Sequence, residues 1–127
     1  MSKKENKIKG NYGEDIACRF LEKEDYSIIT RNFNCSYGEI DIVASKNNEI
    51  VFIEVKTRCQ TSFGMPVEAI DNSKKIHIYN SAKYFLYKNN LLNKDVRFDV
   101  IEILIYDSGS YNINHLKNII YDEPKRR

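Results

Sequence analysis

Two short segments of the chain combine carboxylates with a lysine, a combination suited to phosphate chemistry. They are Gly38-Glu39-Ile40-Asp41 and Glu54-Val55-Lys56. Two neighbouring carboxylates repel each other unless a cation joins them, and Mg²⁺ prefers oxygen ligands. A lysine beside such an ion can orient a water or stabilise charge that develops on a phosphorane. These residue types predict metal-assisted phosphodiester hydrolysis, with Asp41, Glu54 and Lys56 as the reactive set.

The first segment opens a predicted strand over residues 39–44. Alternate side chains of a strand share a face. Alternation predicts two sets, with Glu39, Asp41 and Val43 on one face and Ile40, Ile42 and Ala44 on the other. Asp41 can then face the second segment if the two strands pair as a hairpin.

The second segment lies in a predicted strand over residues 49–58. Residues 50–53 are apolar on both faces, which is typical of a buried central strand. From Glu54 onward one face is charged, and buried charges are costly unless they are paired or bind a metal. A structural ion pair, in which Glu54 or Asp41 binds Lys56, is the competing interpretation, since short charge patterns also match by chance.

Hydrophobic periodicity predicts the elements that position these residues. Helices are expected over 11–24 and from 71 or 72 to 89, and strands over 26–33, 39–44, 49–58, 97–106 and 111–115. This order predicts an α/β fold with a mixed central sheet flanked by helices. Glu14 lies at the edge of the first helix's apolar stripe, where it could supply a third carboxylate. Ile76, Tyr79, Ala82, Lys83 and Leu86 trace one side of the second helix.

Length and composition indicate a single ordinary globular domain. The 127 residues carry a net charge of +2, with 30% charged and 42% hydrophobic residues. We expect one domain over 1–127, with flexible basic tails at 1–9 and 122–127. Without a long apolar run or a signal-like segment, we expect a cytoplasmic protein that does not use a membrane. The three cysteines lack paired spacing and are expected to be reduced thiols, not zinc ligands.

The two segments together resemble a known nuclease signature. Asp41, twelve intervening residues and then Glu54-Val55-Lys56 resemble the D…(D/E)-x-K pattern of the PD-(D/E)XK nuclease superfamily. Additional motifs make the chain similar to the YraN-like family of bacterial proteins from about Gly10 to Asn118. They are Gly13-Glu14-Asp15-Ile16-Ala17, Arg31-Asn32, the run from Gly38 to Ala44, the run from Phe52 to Arg58, Phe63-Gly64, Lys74-Lys75 and Arg97-Phe98-Asp99-Val100.

The resemblance implies a restriction-endonuclease-like αβββαβ core and the activity of a predicted endonuclease. The layout is similar to that of archaeal Holliday-junction resolvases. It also implies Glu14, Asp41 and Glu54 as ligands of Mg²⁺ or Mn²⁺. The Val55 carbonyl would be a further ligand and Lys56 the catalytic lysine.

Several other charged residues receive weaker assignments. Arg58 continues the charged face beyond Lys56 and is the first choice for a phosphate contact. Lys74 and Lys75 lie near a predicted helix start and could also meet DNA. Glu39 could reach the metal or bond a neighbouring loop, and Asp99 could be accessory, although an ion pair with a basic residue is the simpler interpretation.

Two functions stay open at this stage. One is a metal-dependent endonuclease that acts on DNA without sequence specificity, on branched or processed intermediates, as a monomer or a homodimer. The other is a nucleic-acid- or partner-binding module that keeps the nuclease fold without cutting.

Overall fold

A computed structural model of the chain describes residues 3–59 and 72–119, with side chains described for 12–59 and 77–119. These residues form two helices and five strands. The helices are α1 (Lys3–Lys23) and α2 (Asn72–Lys88), and the strands are β1 (Ser27–Cys35), β2 (Gly38–Lys46), β3 (Glu49–Cys59), β4 (Asp95–Ile105) and β5 (Tyr111–Leu116).

The strands form one mixed sheet in the order β1-β2-β3-β4-β5. β3 and β4 are parallel, joined through α2, and the other neighbouring pairs are antiparallel. The predicted hairpin between β2 and β3 is confirmed, with Lys46 opposite Glu49. The mixed α/β fold is likewise confirmed, and its element order matches the restriction-endonuclease-like αβββαβ core with β5 added at the edge.

The two helices cover opposite faces of the sheet because each sheet face supplies its own apolar set. On one face, Ile16, Ala17 and Leu21 of α1 pack on a cluster that contains Ile42 and Ile53. On the other face, α2 packs against Ile40, Val43, Ile50 and Phe52 through Ala82, Phe85 and Leu86. The central strands are therefore buried from both sides, as the apolar run at 50–53 predicts.

The core side of α2 overlaps the predicted side only in part. Ile78, Ala82, Phe85 and Leu86 are buried, whereas Lys83 is exposed. The buried side is shifted around the helix toward Ile78 and Phe85, because tyrosines add apolar character next to the core side and periodicity alone does not separate the two.

Helix α1 begins at Lys3, well before the predicted start at Asn11. Residues 3–9, predicted as part of a tail, therefore continue the helix. Their lysines and glutamate have good helix propensity but no apolar stripe, so periodicity did not detect them. The other predicted tail, 122–127, lies outside the described residues. Within the described part of the chain, no helix is long and apolar enough to span a membrane.

Candidate active site

The sheet divides into two arms at the position of Asp41. β2 pairs with β3 from Lys46 to Ile42, which lies opposite Ile53, and the pairing ends there. Beyond Ile42, β2 stays paired with β1 as far as Gly38, while β3 stays paired with β4 as far as Cys59. Asp41 is thus the first residue of β2 on the separated side, and it faces the opening between the arms.

The predicted face of Ile40 is wrong, and the error locates a local irregularity in β2. Ile40 packs with Val43 toward α2, whereas Ile42 packs toward α1. The alternation therefore breaks at Asp41. In the β1 register, Asn32 lies at the level of Asp41 and has a positive φ of 53°. β1 thus contains a left-handed residue beside Asp41, and asparagine is among the residues that tolerate the conformation.

The Asp41 carboxylate bridges the opening between the arms. Its Oδ2 accepts a hydrogen bond from the Val55 N–H at 2.8 Å. A strand residue directs its N–H and its C=O toward the same neighbouring strand. The Val55 carbonyl therefore lies on the same side of β3 as the Asp41 carboxylate, which places two kinds of oxygen donor at the opening.

Glu54 and Lys56 follow Phe52 along the same face of β3, the face that α2 covers. The Glu54 side chain is almost completely buried, with 3% of its surface exposed. A buried carboxylate needs a partner or a cation, since desolvation of the charge is costly. The Glu54 and Lys56 side chains both make further interactions within the protein. Their position is compatible with an internal ion pair and with binding of a metal ion by Glu54.

Glu14 approaches the same opening from α1 on the other face of the sheet. It is 8% exposed, and its Oε1 is a buried oxygen without a hydrogen-bond partner among the described residues. Burial raises the pKa of Glu14 from 4.5 to about 7, and the charge of Asp41 adds to this effect. Arg31, 3.9 Å from Oε1, and a hydrogen bond with Asn32 lower the pKa in part.

Close packing of α1 on β3 brings Glu14 to this place. A Cβ at Gly13 would overlap Oγ1 of Thr57, so the helix backbone approaches β3 more closely than any other residue type allows. Arg31 binds Asp15 at 2.8 Å and holds the same helical turn against β1. The sequence contained a signal for this contact, since a glycine inside a helix often marks a close approach.

These residues fit a hard divalent cation, although they do not form a ready cluster of three ligand side chains. Among the described residues, no three histidine, cysteine, aspartate or glutamate side chains are grouped closely enough to hold a metal alone. Mg²⁺ commonly binds through one or two carboxylates and keeps several waters. The Glu14 Oε1 is buried without a hydrogen-bond partner among the described residues, and Arg31 approaches it only to 3.9 Å, so a further cation or a proton would stabilise this carboxyl group near Asp41.

The weaker assignments fall around this opening or outside the described side chains. Glu39 is exposed, and its charge also raises the pKa of Glu14. Arg58 lies partly exposed on β3 and donates a hydrogen bond to the Thr57 carbonyl at 3.3 Å. Lys74 and Lys75 belong to the first turns of α2, but their side chains are outside the described set.

Asp99 belongs to a separate network, in which its own side chain is fully buried. Arg97 donates two hydrogen bonds to its carboxylate, both at 2.9 Å, and His115 Nε2 lies 2.7 Å from Oδ2. Burial opposes ionisation, yet the hydrogen bonds from His115 and Arg97 hold the pKa of Asp99 below its ordinary value. The ion pair suggested by the Arg97-Phe98-Asp99 sequence is thus present, and Asp99 has a structural role.

The sequence that forms this site matches a known protein family. The model of the family described as "Uncharacterised protein family UPF0102" matches residues 13–103. The chain belongs to this family. The match begins one residue before Glu14 and contains Asp41, Glu54 and Lys56, and it confirms the resemblance to the YraN-like group.

Similar proteins occur in several bacteria. A UPF0102 protein of Clostridium perfringens strain 13 is 55% identical over 117 residues, which cover 91% of this chain and 96% of the relative. One from Clostridium acetobutylicum is 42% identical over 114 residues, 89% and 93% of the two chains. One from Caldicellulosiruptor saccharolyticus is 44% identical over 110 residues, 86% and 93% of the two chains. Their names state no reaction, so an activity has to come from the site.

Proposed function

We propose that this protein is a Mg²⁺- or Mn²⁺-dependent endonuclease that hydrolyses phosphodiester bonds in DNA. The observation that supports it most is the opening of the sheet at Asp41. There the Asp41 carboxylate and the Val55 backbone meet, Glu54 is buried on the adjacent strand, and Glu14 brings an unsatisfied carboxyl from α1. An all-oxygen donor set of this kind suits a hard cation.

Each residue has a distinct part in the proposed reaction. Asp41, Glu54 and the Val55 carbonyl would hold the cation, and Glu14 would supply a further carboxyl group to the site. A cation bound there would supply Lewis acidity toward the scissile phosphate and toward an attacking water. Lys56 lies two residues after Glu54 on the same strand face, where its ammonium can stabilise the negative charge that develops on the phosphorane.

The opening also explains how a polymer could reach a buried carboxylate. Because β2 and β3 stop pairing at Ile42 and Ile53, the site lies at a division in the sheet and not beneath it. Arg58 lies farther along β3 on the same strand face as Lys56, where a guanidinium can bind a neighbouring phosphate.

A cleavage assay tests the proposal. Linear, branched and single-stranded DNA are incubated with Mn²⁺ or Mg²⁺ and the parent protein, Asp41→Asn, Lys56→Ala or the exposed control Glu22→Gln. We expect product with the parent and with Glu22→Gln, and a decrease of roughly a hundredfold or more in Asp41→Asn and Lys56→Ala, as for loss of a group that stabilises charge in the transition state. Cutting that survives both substitutions would remove these residues from the mechanism. Binding without cutting, by the parent on every substrate, would favour the binding module.

A further inference from the structure

An exposed aromatic surface runs along the outer side of α2 and onto the turn between β1 and β2. We call it the tyrosine face and define it as Tyr37, Tyr84 and Tyr87, which are 48%, 38% and 68% exposed. The rings of Tyr37 and Tyr84 lie 6.3 Å apart between centroids, so the turn and the helix form one surface. Ala82, Phe85 and Leu86 form the core side of α2, so Tyr84 and Tyr87 lie outside the core cluster.

Positive charge is interleaved with these rings. Lys83 and Lys88 are exposed and lie one helical turn from Tyr87 and Tyr84 respectively. α2 contains four lysines, at 74, 75, 83 and 88, and no aspartate or glutamate. The net charge of the whole chain is only +2, so α2 concentrates the positive charge that the rest of the chain balances.

A groove of about 710 Å³ continues this surface beyond the end of α2. It is lined by Tyr84, Tyr87, Lys88, Asn90, Leu92 and Asn93. These described lining residues include aromatic rings, a cation and amides, and no acidic side chain. A polyanion with flat apolar faces matches this chemistry, because phosphates bind lysine and bases stack on tyrosine.

Other occupants fit less well. A protein partner or a second copy would bury the patch, and the buried centres of such interfaces are depleted of lysine. Duplex DNA presents phosphates but keeps its bases stacked inside the helix. A single strand alone presents both phosphates and free base faces.

From these observations, we propose that the tyrosine face binds single-stranded DNA by stacking bases on Tyr84 and Tyr87 while Lys83 and Lys88 bind its phosphates. The identity of the ligand as DNA rests on the proposed function, whereas the surface itself does not.

The position of the tyrosine face connects it to the candidate active site. Tyr37 directly precedes Gly38, whose backbone has a φ of +145° and packs against His77 and Ser81 of α2. β2 continues from this glycine to Asp41 within the same strand. A single DNA strand bound along α2 would therefore lie beside the opening of the sheet. This position points to DNA with an unpaired segment as the substrate class.

Binding is measured without metal, so that it does not depend on catalysis. Fluorescence anisotropy of an oligo(dT) probe of about 15 nucleotides, within the range of single-strand site sizes, is recorded in EDTA. All proteins carry Asp41→Asn. Tyr87→Ser should weaken binding about tenfold, consistent with loss of one stacked base at about 1–3 kcal/mol. Tyr87→Phe keeps the ring and should bind like its parent. Tyr111→Ser on β5, which removes a tyrosine of similar exposure to those of the tyrosine face, is the matched control and should bind unchanged.

Charge and strand selectivity supply a second readout. Replacing Lys83 and Lys88 together by glutamine should reduce the slope of log K against log salt by about 1.4, since each phosphate contact to a single strand contributes about 0.7. A duplex of the same length should bind the parent more weakly than oligo(dT) does.

Several outcomes would overturn the inference. They are unchanged binding in Tyr87→Ser, equal loss in Tyr111→Ser, equal affinity for the duplex, or a dimer seen by sedimentation that Tyr87→Ser dissociates. Loss of single-strand binding in Tyr87→Ser together with a parent that never cuts DNA would support this inference and reject the proposed hydrolysis, so the two failures are distinguishable.

Discussion

At the scale of single residues, the proposed metal site depends mainly on the buried carboxylates. The strand pattern and the resemblance predicted Asp41, Glu54 and Glu14, and the structure buries Glu54 and Glu14 and places Asp41 on the Val55 N–H. Asn32 received no role from the sequence, yet its left-handed backbone lies at the level of Asp41. The effect of Asn32 on the site depends on which strand lies beside it, and the amino-acid sequence alone does not specify strand pairing.

The acidity of Glu14 leads to a prediction about stability and pH. Burial and then Asp41 raise the pKa of Glu14 to about 7 in the folded protein from 4.5, so the folded state binds this proton more tightly than the unfolded chain does. The resulting stability is fully present below about pH 4.5 and is lost as the pH rises to about 7. The loss is up to about 3 kcal/mol at about 1.36 kcal/mol per unit.

Urea unfolding in EDTA at several pH values checks this expectation. Glu14→Gln should flatten the pH dependence and be more stable than the parent at about pH 8 by about 1–3 kcal/mol. Glu22→Gln, an exposed residue of the same helix, should retain the parent's curve. A Glu14→Gln curve that still falls between about pH 4.5 and 7 would show that another group is responsible.

At the scale of elements, the division of the sheet and the docking of α1 bring the candidate site residues together. Hydrophobic patterns located all five described strands, because each strand buries at least part of one face. They did not reveal that β2 leaves β3 after Ile42, because both arms keep a pairing partner and continue as strands. The separation is a property of pairing, not of local composition.

The contact between Gly13 and Thr57 tests the docking of α1. Alanine normally stabilises a helix relative to glycine by about 1 kcal/mol. Here the added Cβ would overlap Thr57 Oγ1, so we expect Gly13→Ala to destabilise the fold by about 1–3 kcal/mol, as overpacking does. Combining it with Thr57→Ala should recover part of the loss. Thermal unfolding of the two single variants and the double variant gives the coupling, and a higher Tm for Gly13→Ala alone would show that the approach is looser than the structure indicates.

At the scale of the whole molecule, one ion network centred on the buried Asp99 joins the far ends of the sheet. Arg97 on β4 binds Asp99 of the same strand, Tyr26 before β1 and Glu49 on β3, and His115 on β5 binds Asp99 as well. The sequence suggested only the nearest pair, since the other partners are distant along the chain. The network lies apart from Asp41 and fixes the arm of the sheet that carries Glu54.

Removal of its central carboxylate should destabilise the entire fold. Asp99→Ala leaves the Arg97 guanidinium without its main partner, and breaking a buried ion pair costs about 3–5 kcal/mol. Asp95→Asn, an exposed carboxylate at the start of the same strand, should change stability by no more than about 0.5 kcal/mol. Chemical denaturation of the two variants compares them directly, and similar midpoints would contradict the structural role given to Asp99.

We propose that the opening at Asp41 holds one divalent cation. Titration of Mn²⁺ into the protein at about pH 8, followed by the loss of the free-ion electron paramagnetic resonance signal, measures this without any DNA. We expect one Mn²⁺ site per chain in the parent and in Glu22→Gln. Binding should be weaker by roughly tenfold or more in Asp41→Asn, since every 1.4 kcal/mol of lost ligand interaction is about tenfold in affinity. Equal Mn²⁺ affinity in the parent and in Asp41→Asn would contradict the proposal.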